Sequence, residues 1–181
     1  MSAPATNSRT VRRAAICSGL FAVLSALPVM AQADWTVIKT RPDGAVTDTV
    51  IAHSQNTDGY ILEIYRDSGG AVRSRFTLDS GLTSLTERVC PTFQIDRWPA
   101  INKSINGAKC LSTGKWAEFI LGYVADKKVI SPRLLTFMNG NDITFRFRLA
   151  AGDYRETQFS LLGSKRSMTE AIGTDVVVSA R

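Results

Sequence analysis

A repeated alternation of apolar and polar residues is the feature that most constrains how this chain can fold. Between residues 71 and 78, and again between 142 and 149, apolar residues alternate with arginine and threonine. Successive side chains of a β-strand point to opposite faces of its sheet, so a period of two places the apolar set on one face. The sequence therefore predicts two half-buried strands. Their opposite face carries Arg73 and Arg75 in the first strand and Arg146 and Arg148 in the second.

Turn residues join each of these segments to a neighbour that also favours a strand. Asp67-Ser68-Gly69-Gly70 separates residues 60–66 from 71–78, and Ala151-Gly152-Asp153 separates 142–149 from 154–162. Short turns rich in glycine and aspartate between such segments are typical of β-hairpins. A further hairpin or meander is predicted from residues 35–39 and 48–53, which flank Arg41-Pro42-Asp43-Gly44.

The remaining segments predict further short elements. Residues 89–96 favour a strand in which Pro91 indicates an edge or a bulge, and 97–112 is predicted as a loop. Residues 116–124 are apolar enough for a buried strand, with a short helix as the alternative. Ser131 and Pro132 begin a predicted helix that ends near Gly140, a second helix is predicted over 164–172, and 176–178 favours a strand.

Many short strands and only two brief helices indicate a mainly β protein. We therefore expect an antiparallel β-sandwich or open barrel. Neither an internal repeat nor a low-complexity linker divides the sequence.

The N-terminal segment indicates export. Seventeen residues from Ala14 to Met30 are predominantly apolar, follow Arg12-Arg13 and lead into Ala31-Gln32-Ala33. Basic residues, a short apolar core and small residues at the cleavage site are typical of a secretory signal peptide. The alternative, a membrane anchor, needs about 20 apolar residues. We predict cleavage after Ala33, one mature domain over 34–181 without a membrane span, and a periplasmic or secreted location; the export route, general or twin-arginine, stays open.

Charge gives little support for nucleic acid as a partner. The predicted leader holds three arginines and no acid, so its removal leaves 148 residues with 19 basic and 16 acidic side chains, a net charge of +3. Proteins that bind nucleic acid concentrate lysine and arginine in one patch or helix. No such concentration occurs in this sequence, and we expect no nucleic-acid partner.

Cys90 and Cys110 are the cysteines that remain after cleavage. An even pair in an oxidising compartment predicts a disulfide. A metal or redox role is the alternative, but the sequence has no Cys-x-x-Cys and its one histidine, His53, lies far from both cysteines. We predict a structural bridge, with no metal and no cofactor.

No motif predicts a catalytic site. The sequence has no Gly-x-Ser-x-Gly motif, which accompanies many serine triads. Its one histidine, His53, is therefore interpreted as a solvated residue at a strand end. Paired carboxylates need not be close in sequence, but the glutamates follow no pattern. They are Glu63, Glu87, Glu118, Glu156 and Glu170.

The arginines and one tryptophan are the candidate binding residues. If the two arginine-bearing strands share a sheet, Arg73, Arg75, Arg146 and Arg148 form a positive strip able to meet carboxylate or phosphate. The alternative is a solvated face paired in part with Glu63, Asp79 or Glu156. Trp116 is predicted to fill the core. Trp98, next to Pro99 in the predicted loop, is the better candidate for an exposed contact residue.

The sequence resembles the invasion-associated locus B family of Gram-negative envelope proteins. The resemblance rests on a signal peptide followed by Asp34-Trp35-Thr36-Val37, the Cys90 and Cys110 pair, and the ending from Phe159 to Ile172. It implies a small periplasmic or secreted β-sandwich without enzymatic activity, linked by name to host-cell invasion. Members often carry further cysteines near the N-terminal tryptophan, where this sequence has none.

These observations favour a non-enzymatic binding or accessory protein of the cell envelope. Its partner would be an envelope protein or an anionic envelope component. Two alternatives stay open. One is a periplasmic hydrolase that uses acidic residues, and the other is an inhibitor of a secreted enzyme that inserts the loop with Trp98.

Overall fold

The computed structural model describes residues 34–41, 48–78, 81 and 83–181. The predicted signal peptide and most of the turn after residue 41 lie outside these ranges. In chain order the strands are β1 (Thr36–Thr40), β2 (Thr49–Gln55), β3 (Ile61–Arg66), β4 (Ala71–Thr77), β5 (Thr92–Ile95), β6 (Leu111–Ser112), β7 (Trp116–Tyr123), β8 (Lys128–Ile130), β9 (Asp142–Arg148), β10 (Tyr154–Ser160) and β11 (Val177–Ser179). The helices are α1 (Pro132–Asn139) and α2 (Ser164–Ile172), and residues Ile105–Gly107 form a 3₁₀ turn.

The strands form two antiparallel sheets and one parallel pair. The larger sheet has the order β1-β2-β3-β4-β7-β6, and the smaller has the order β10-β9-β5. Strands β8 and β11 pair in parallel, with Val129 opposite Val178. The three predicted hairpins are confirmed as β1-β2, β3-β4 and β9-β10. The sheets stay open rather than closing into a barrel, so the predicted sandwich is confirmed.

Aromatic rings from the two antiparallel sheets meet in the core. Phe76 of β4 stacks on Phe145 of β9, with ring centroids 4.6 Å apart and planes 9° apart. Phe93 of β5 meets Phe119 of β7 edge to face at 5.0 Å. All four side chains are almost fully buried. Such pairs add about 0.5–1.5 kcal/mol each to the free energy of burial, and they fix the face of each sheet that points inward.

Both predicted helices are confirmed, and local capping explains the first. The hydroxyl of Ser131 accepts a hydrogen bond from the backbone N–H of Leu134 at 3.0 Å, and Pro132 occupies the first turn. The residue after α1 is Gly140, and neighbouring atoms leave no room for a side chain there: a Cβ at this position would lie 2.5 Å from Ile95 Cγ2. Helix α2 covers the inner face of β2 and β3 through Met168, Ala171 and Ile172.

Three short elements were not predicted: the 3₁₀ turn, β6 and β8. The first two lie in the segment predicted as a loop, between the two cysteines and just after them. Within the described part of the chain, none of the helices has the length and apolar character needed to cross a membrane.

Candidate functional site

The four candidate arginines do not form one positive strip. Arg73 and Arg75 lie on β4 of the larger sheet, whereas Arg146 and Arg148 lie on β9 of the smaller sheet. Phe76 and Phe145 alternate with these arginines along the two strands and meet between the sheets. The two arginine pairs therefore point away from each other on opposite outer faces. The condition for a shared strip, that the two hairpins lie in one sheet, is not met because they belong to different sheets.

Arg73 and Arg75 bind a buried carboxylate. Arg73 Nη1 donates to Glu118 Oε1 at 2.7 Å, and Arg75 Nη2 donates to Glu118 Oε2 at 2.9 Å. The Glu118 side chain is only 5% exposed, and the Tyr65 hydroxyl donates to the same carboxylate. Burial and the neighbouring Glu118 raise the pKa of Tyr65, so the phenol stays neutral and remains a donor.

A second carboxylate completes this cluster. Asp67 Oδ2 accepts a hydrogen bond from Arg73 Nε at 2.6 Å, and Asp67 Oδ1 accepts one from the backbone N–H of Ala71 at 2.8 Å. Burial alone would raise the pKa of Asp67, but the bonds and charge of Arg73 and the backbone N–H donors outweigh it and lower the pKa. Two cations face two anions in this cluster. It therefore has no excess positive charge with which to hold an external anion.

The arginines of the smaller sheet are exposed and partly paired. Arg146 Nε donates to Glu156 Oε2 at 2.6 Å, and Arg146 Nη1 donates to Gln94 Oε1 at 3.0 Å. The Arg148 guanidinium lies 5.6 Å from the ring centroid of Tyr154, which is 77% exposed. The pair with Glu156 was expected for a solvated sheet face, and that interpretation is confirmed for Arg146.

Two other residues differ from their sequence interpretation. Trp116 is half-buried on the outer face, where the Arg75 guanidinium lies 4.9 Å from its ring centroid, so it does not fill the core. His53 is not at the strand end, because β2 continues to Gln55. Its Nδ1 lies 3.5 Å from Glu63 Oε1, and its side chain is 24% exposed. His53 stands opposite Glu63 because β2 pairs with β3, and the sequence analysis did not predict this pairing.

Trp98 lies at the tip of a braced hairpin and is 62% exposed, which confirms the predicted exposure. Below the tip, the backbones of Phe93 and Ile101 exchange two hydrogen bonds of 2.7 and 2.8 Å. The N–H of Trp98 donates to the carbonyl of Ile95 at 2.9 Å, and Gln94 Nε2 donates to the carbonyl of Trp98 at 3.0 Å. The backbone that carries the exposed indole is therefore fixed on both sides of the tip.

An apolar groove of about 560 Å³ runs beside Trp98, a volume in the usual range for ligand sites. We call it the Trp98 groove. One wall comes from the segment between the two cysteines, and the other comes from the end of β8 and the first turns of α1. Its lining consists of Phe93, Ile95, Trp98, Pro99, Ile101, Ile105, Asn106, Ile130, Ser131, Pro132, Arg133 and Thr136. Ile130, on the second wall, is 66% exposed.

The disulfide holds the first wall in place. Cys90 and Cys110 are bonded, with Cα atoms 5.8 Å apart, which confirms the predicted bridge. Trp98, Ile101 and Ile105 lie in the loop that it closes. Within the same loop, the Ser104 hydroxyl accepts a hydrogen bond from the backbone N–H of Ile120 in β7 at 3.0 Å. The disulfide therefore closes the base of this wall, and the Ser104 contact ties the wall to the larger sheet.

Arg133 alone is charged among the described residues that line the groove. Its Nη1 donates to the carbonyl of Lys103 at 2.5 Å, and its guanidinium lies 6.0 Å from the ring centroid of Phe93. Burial lowers the pKa of Arg133. Among the residues that the structure describes, none places a carboxylate oxygen within 4.0 Å of this guanidinium. Arg133 is thus a partly buried cation without an anionic partner in the described chain.

Among the described residues that line the Trp98 groove, none carries a carboxyl, imidazole or thiol group. Within the described ranges, His, Cys, Asp and Glu side chains form no group of three arranged to hold a metal ion.

Sequence reasoning found Trp98 but missed the rest of the groove. Ile130 and Pro132 come from a segment about thirty residues further along the chain, and only the fold brings them beside Trp98. Arg133 could be placed on the first turn of a helix from Ser131 and Pro132, but nothing local indicates that it faces a groove.

Comparison of the chain with protein-family models, with curated proteins and with solved structures finds no match.

Proposed function

We propose that this chain is an exported, non-enzymatic binding or accessory protein of the cell envelope, and that the Trp98 groove is its binding site. One observation carries the proposal: an exposed tryptophan and an exposed isoleucine stand on opposite walls of one apolar groove. Trp98 is 62% and Ile130 is 66% exposed. Solvent-exposed apolar residues that cluster in a monomer mark a contact site, whereas single exposed ones do not.

The composition of the groove supports a protein partner. Tryptophan and arginine are enriched among the residues that dominate protein interfaces, and both occur here, at Trp98 and Arg133. The fixed backbone of Trp98 also favours binding, since little loop freedom remains to be lost. Export and the likeness to the invasion-associated locus B family remain predictions from the sequence, and the proposal takes its compartment from them.

Site-specific cross-linking in living cells tests the proposal. A photo-reactive residue at Ile130 should form a discrete adduct with an envelope protein, whereas the same residue at Arg146, exposed on the outer face of the smaller sheet, should not. With the purified partner, Trp98→Ala should weaken binding roughly 30-fold, the loss expected for a central aromatic contact. Equal adducts at both positions, or unchanged affinity of Trp98→Ala, would contradict the proposal.

Inhibition of a secreted enzyme is a second candidate function. The braced hairpin favours it, because an inhibitor needs a rigid, protruding residue and Trp98 is both fixed by its backbone and exposed. The cross-linked partner distinguishes the two candidates. If that partner is an enzyme and the purified chain lowers its activity in proportion to binding, inhibition is supported; full activity in the complex leaves an accessory role.

A further inference from the structure

Arg133 adds a chemical requirement to the Trp98 groove. Its guanidinium has five N–H donors, and the contact to the Lys103 carbonyl uses one nitrogen. Burying a charge is costly unless an opposite charge compensates it, and the described residues supply no carboxylate within reach. The other arginine cluster of the domain shows the contrast, because Arg73 and Arg75 are matched there by Glu118 and Asp67.

We propose that the Trp98 groove binds an apolar segment of a partner protein that carries one acidic residue, and that Arg133 receives the carboxylate of that residue. The inference rests on the binding function proposed above and specifies the chemistry of the partner. Apolar side chains of the segment pack against Trp98, Ile130 and Pro132. The acidic side chain lies beside Arg133, where the guanidinium offers two parallel hydrogen bonds to a carboxylate.

The form of the groove favours a peptide segment over a lipid. It is partly open to solvent rather than an enclosed cavity, and its apolar residues come from two separate segments of the chain. Ligand sites for small apolar molecules bury most of the ligand surface. An extended or helical segment needs one buried face only, and it can leave its opposite face in water.

Matched peptide pools test this inference. Three pools of apolar decapeptides, each with an amidated C-terminus and an uncharged N-terminal dye, differ only at a central residue: glutamate, glutamine or lysine. The readout is fluorescence anisotropy with the mature, disulfide-bonded protein. We expect the glutamate pool to bind about tenfold more tightly than the glutamine pool and the lysine pool to bind most weakly.

Three variants assign the preference to Arg133. Arg133→Gln should reduce the difference between the glutamate and glutamine pools to less than about twofold, while Arg133→Lys, which keeps the charge, should retain part of it. Arg166→Gln is the matched control, since Arg166 is exposed on α2 and does not line the groove, and it should bind as the parent does. Thermal unfolding of each variant establishes that it is folded.

The outcomes separate this inference from the function on which it rests. Equal binding of the glutamate and glutamine pools, with both lost in Trp98→Ala, would overturn the acidic partner and leave the groove as a binding site. Retention of the glutamate preference in a folded Arg133→Gln variant would also overturn it. If no pool binds, or if Trp98→Ala binds every pool as the parent does, both the inference and the proposed function fail.

Discussion

Arg75 donates to Glu118 from two nitrogens, since its Nε and Nη2 lie 3.0 and 2.9 Å from Glu118 Oε2. The pair joins neighbouring strands of the larger sheet, because Arg75 on β4 stands opposite Glu118 on β7. Arg73 binds the other oxygen of the same carboxylate. One glutamate thus binds two arginines on this face, and Asp67 supplies the second negative charge of the cluster.

Glu118→Gln should therefore destabilise the domain. Removing the charge leaves both arginines without this partner, at a cost of about 2 to 3 kcal/mol, less than for a fully buried pair because Arg73 and Arg75 are 26% and 34% exposed. Urea unfolding measures the change. Glu156→Gln is the control: Glu156 pairs with Arg146 but is 59% exposed, so its loss should cost less than about 1 kcal/mol. Equal effects of the two variants would refute the structural role of Glu118.

Loss of the disulfide should lower the stability and loosen the groove. In the chain-entropy model a bridge across 20 residues contributes about 3 kcal/mol, so a Cys90→Ser, Cys110→Ser double variant should unfold at a clearly lower urea concentration. Reductant should lower the urea concentration at which the parent protein unfolds toward that of the variant, and it should leave the variant's value unchanged. Two free thiols in natively folded, exported protein would show that the bridge is not formed there.

Gly140→Ala should destabilise the end of α1. The added Cβ would lie 2.5 Å from Ile95 Cγ2 and 2.9 Å from the Thr136 carbonyl oxygen, so helix or sheet must shift, at about 1 to 3 kcal/mol. Gly81→Ala is a suitable control, because a Cβ there meets no atom of the described residues within 4 Å. Thermal unfolding of both variants makes the comparison; an unchanged melting temperature for Gly140→Ala would disprove the crowding.

Asp67 should contribute to the acid sensitivity of the fold. The pKa of Asp67 is lower in the folded protein than in the unfolded chain. Its ionised form therefore stabilises the fold at pH values above the unfolded pKa, and this stabilisation is lost as the pH falls through the folded pKa. Between about pH 5 and pH 2, the free energy of unfolding should therefore fall more steeply in the parent than in Asp67→Asn. Parallel curves for the two proteins would contradict the assigned role of Arg73.

The exported protein should begin at Asp34. Small residues at positions 31 and 33 match the preference of signal peptidase, so mass spectrometry of the intact periplasmic or secreted chain should give the mass of residues 34–181 with two hydrogens lost to the disulfide. Retention of residues 1–33 would reverse the predicted location.

The parts of the fold that sequence could predict are those fixed by neighbours in the chain. Alternation and turn residues located the hairpin that carries Arg73 and Arg75, and the capping residue Ser131 located α1. The pairing of β8 with β11 escaped prediction because each strand has only three residues, too few to show a period, and their partners are about fifty residues apart.

The same distinction holds for the candidate site. The exposure of Trp98 follows from its local Trp-Pro context in a loop, and it was predicted. Glu118 can compensate the charge of Arg75 only because β4 lies beside β7. These strands are about forty residues apart in the sequence, and no local pattern encodes their pairing. Which residue pairs with an arginine, and whether that arginine is free to bind a ligand, therefore depends on the order of the strands in the sheet.

The double hydrogen bond between Phe93 and Ile101 has a consequence for how the domain would recognise a partner. It helps to fix the backbone that carries Trp98, so this backbone is already ordered once the protein has folded. Association then costs little backbone entropy at this point, so a contact made by Trp98 contributes more to the affinity than the same contact made by a mobile loop.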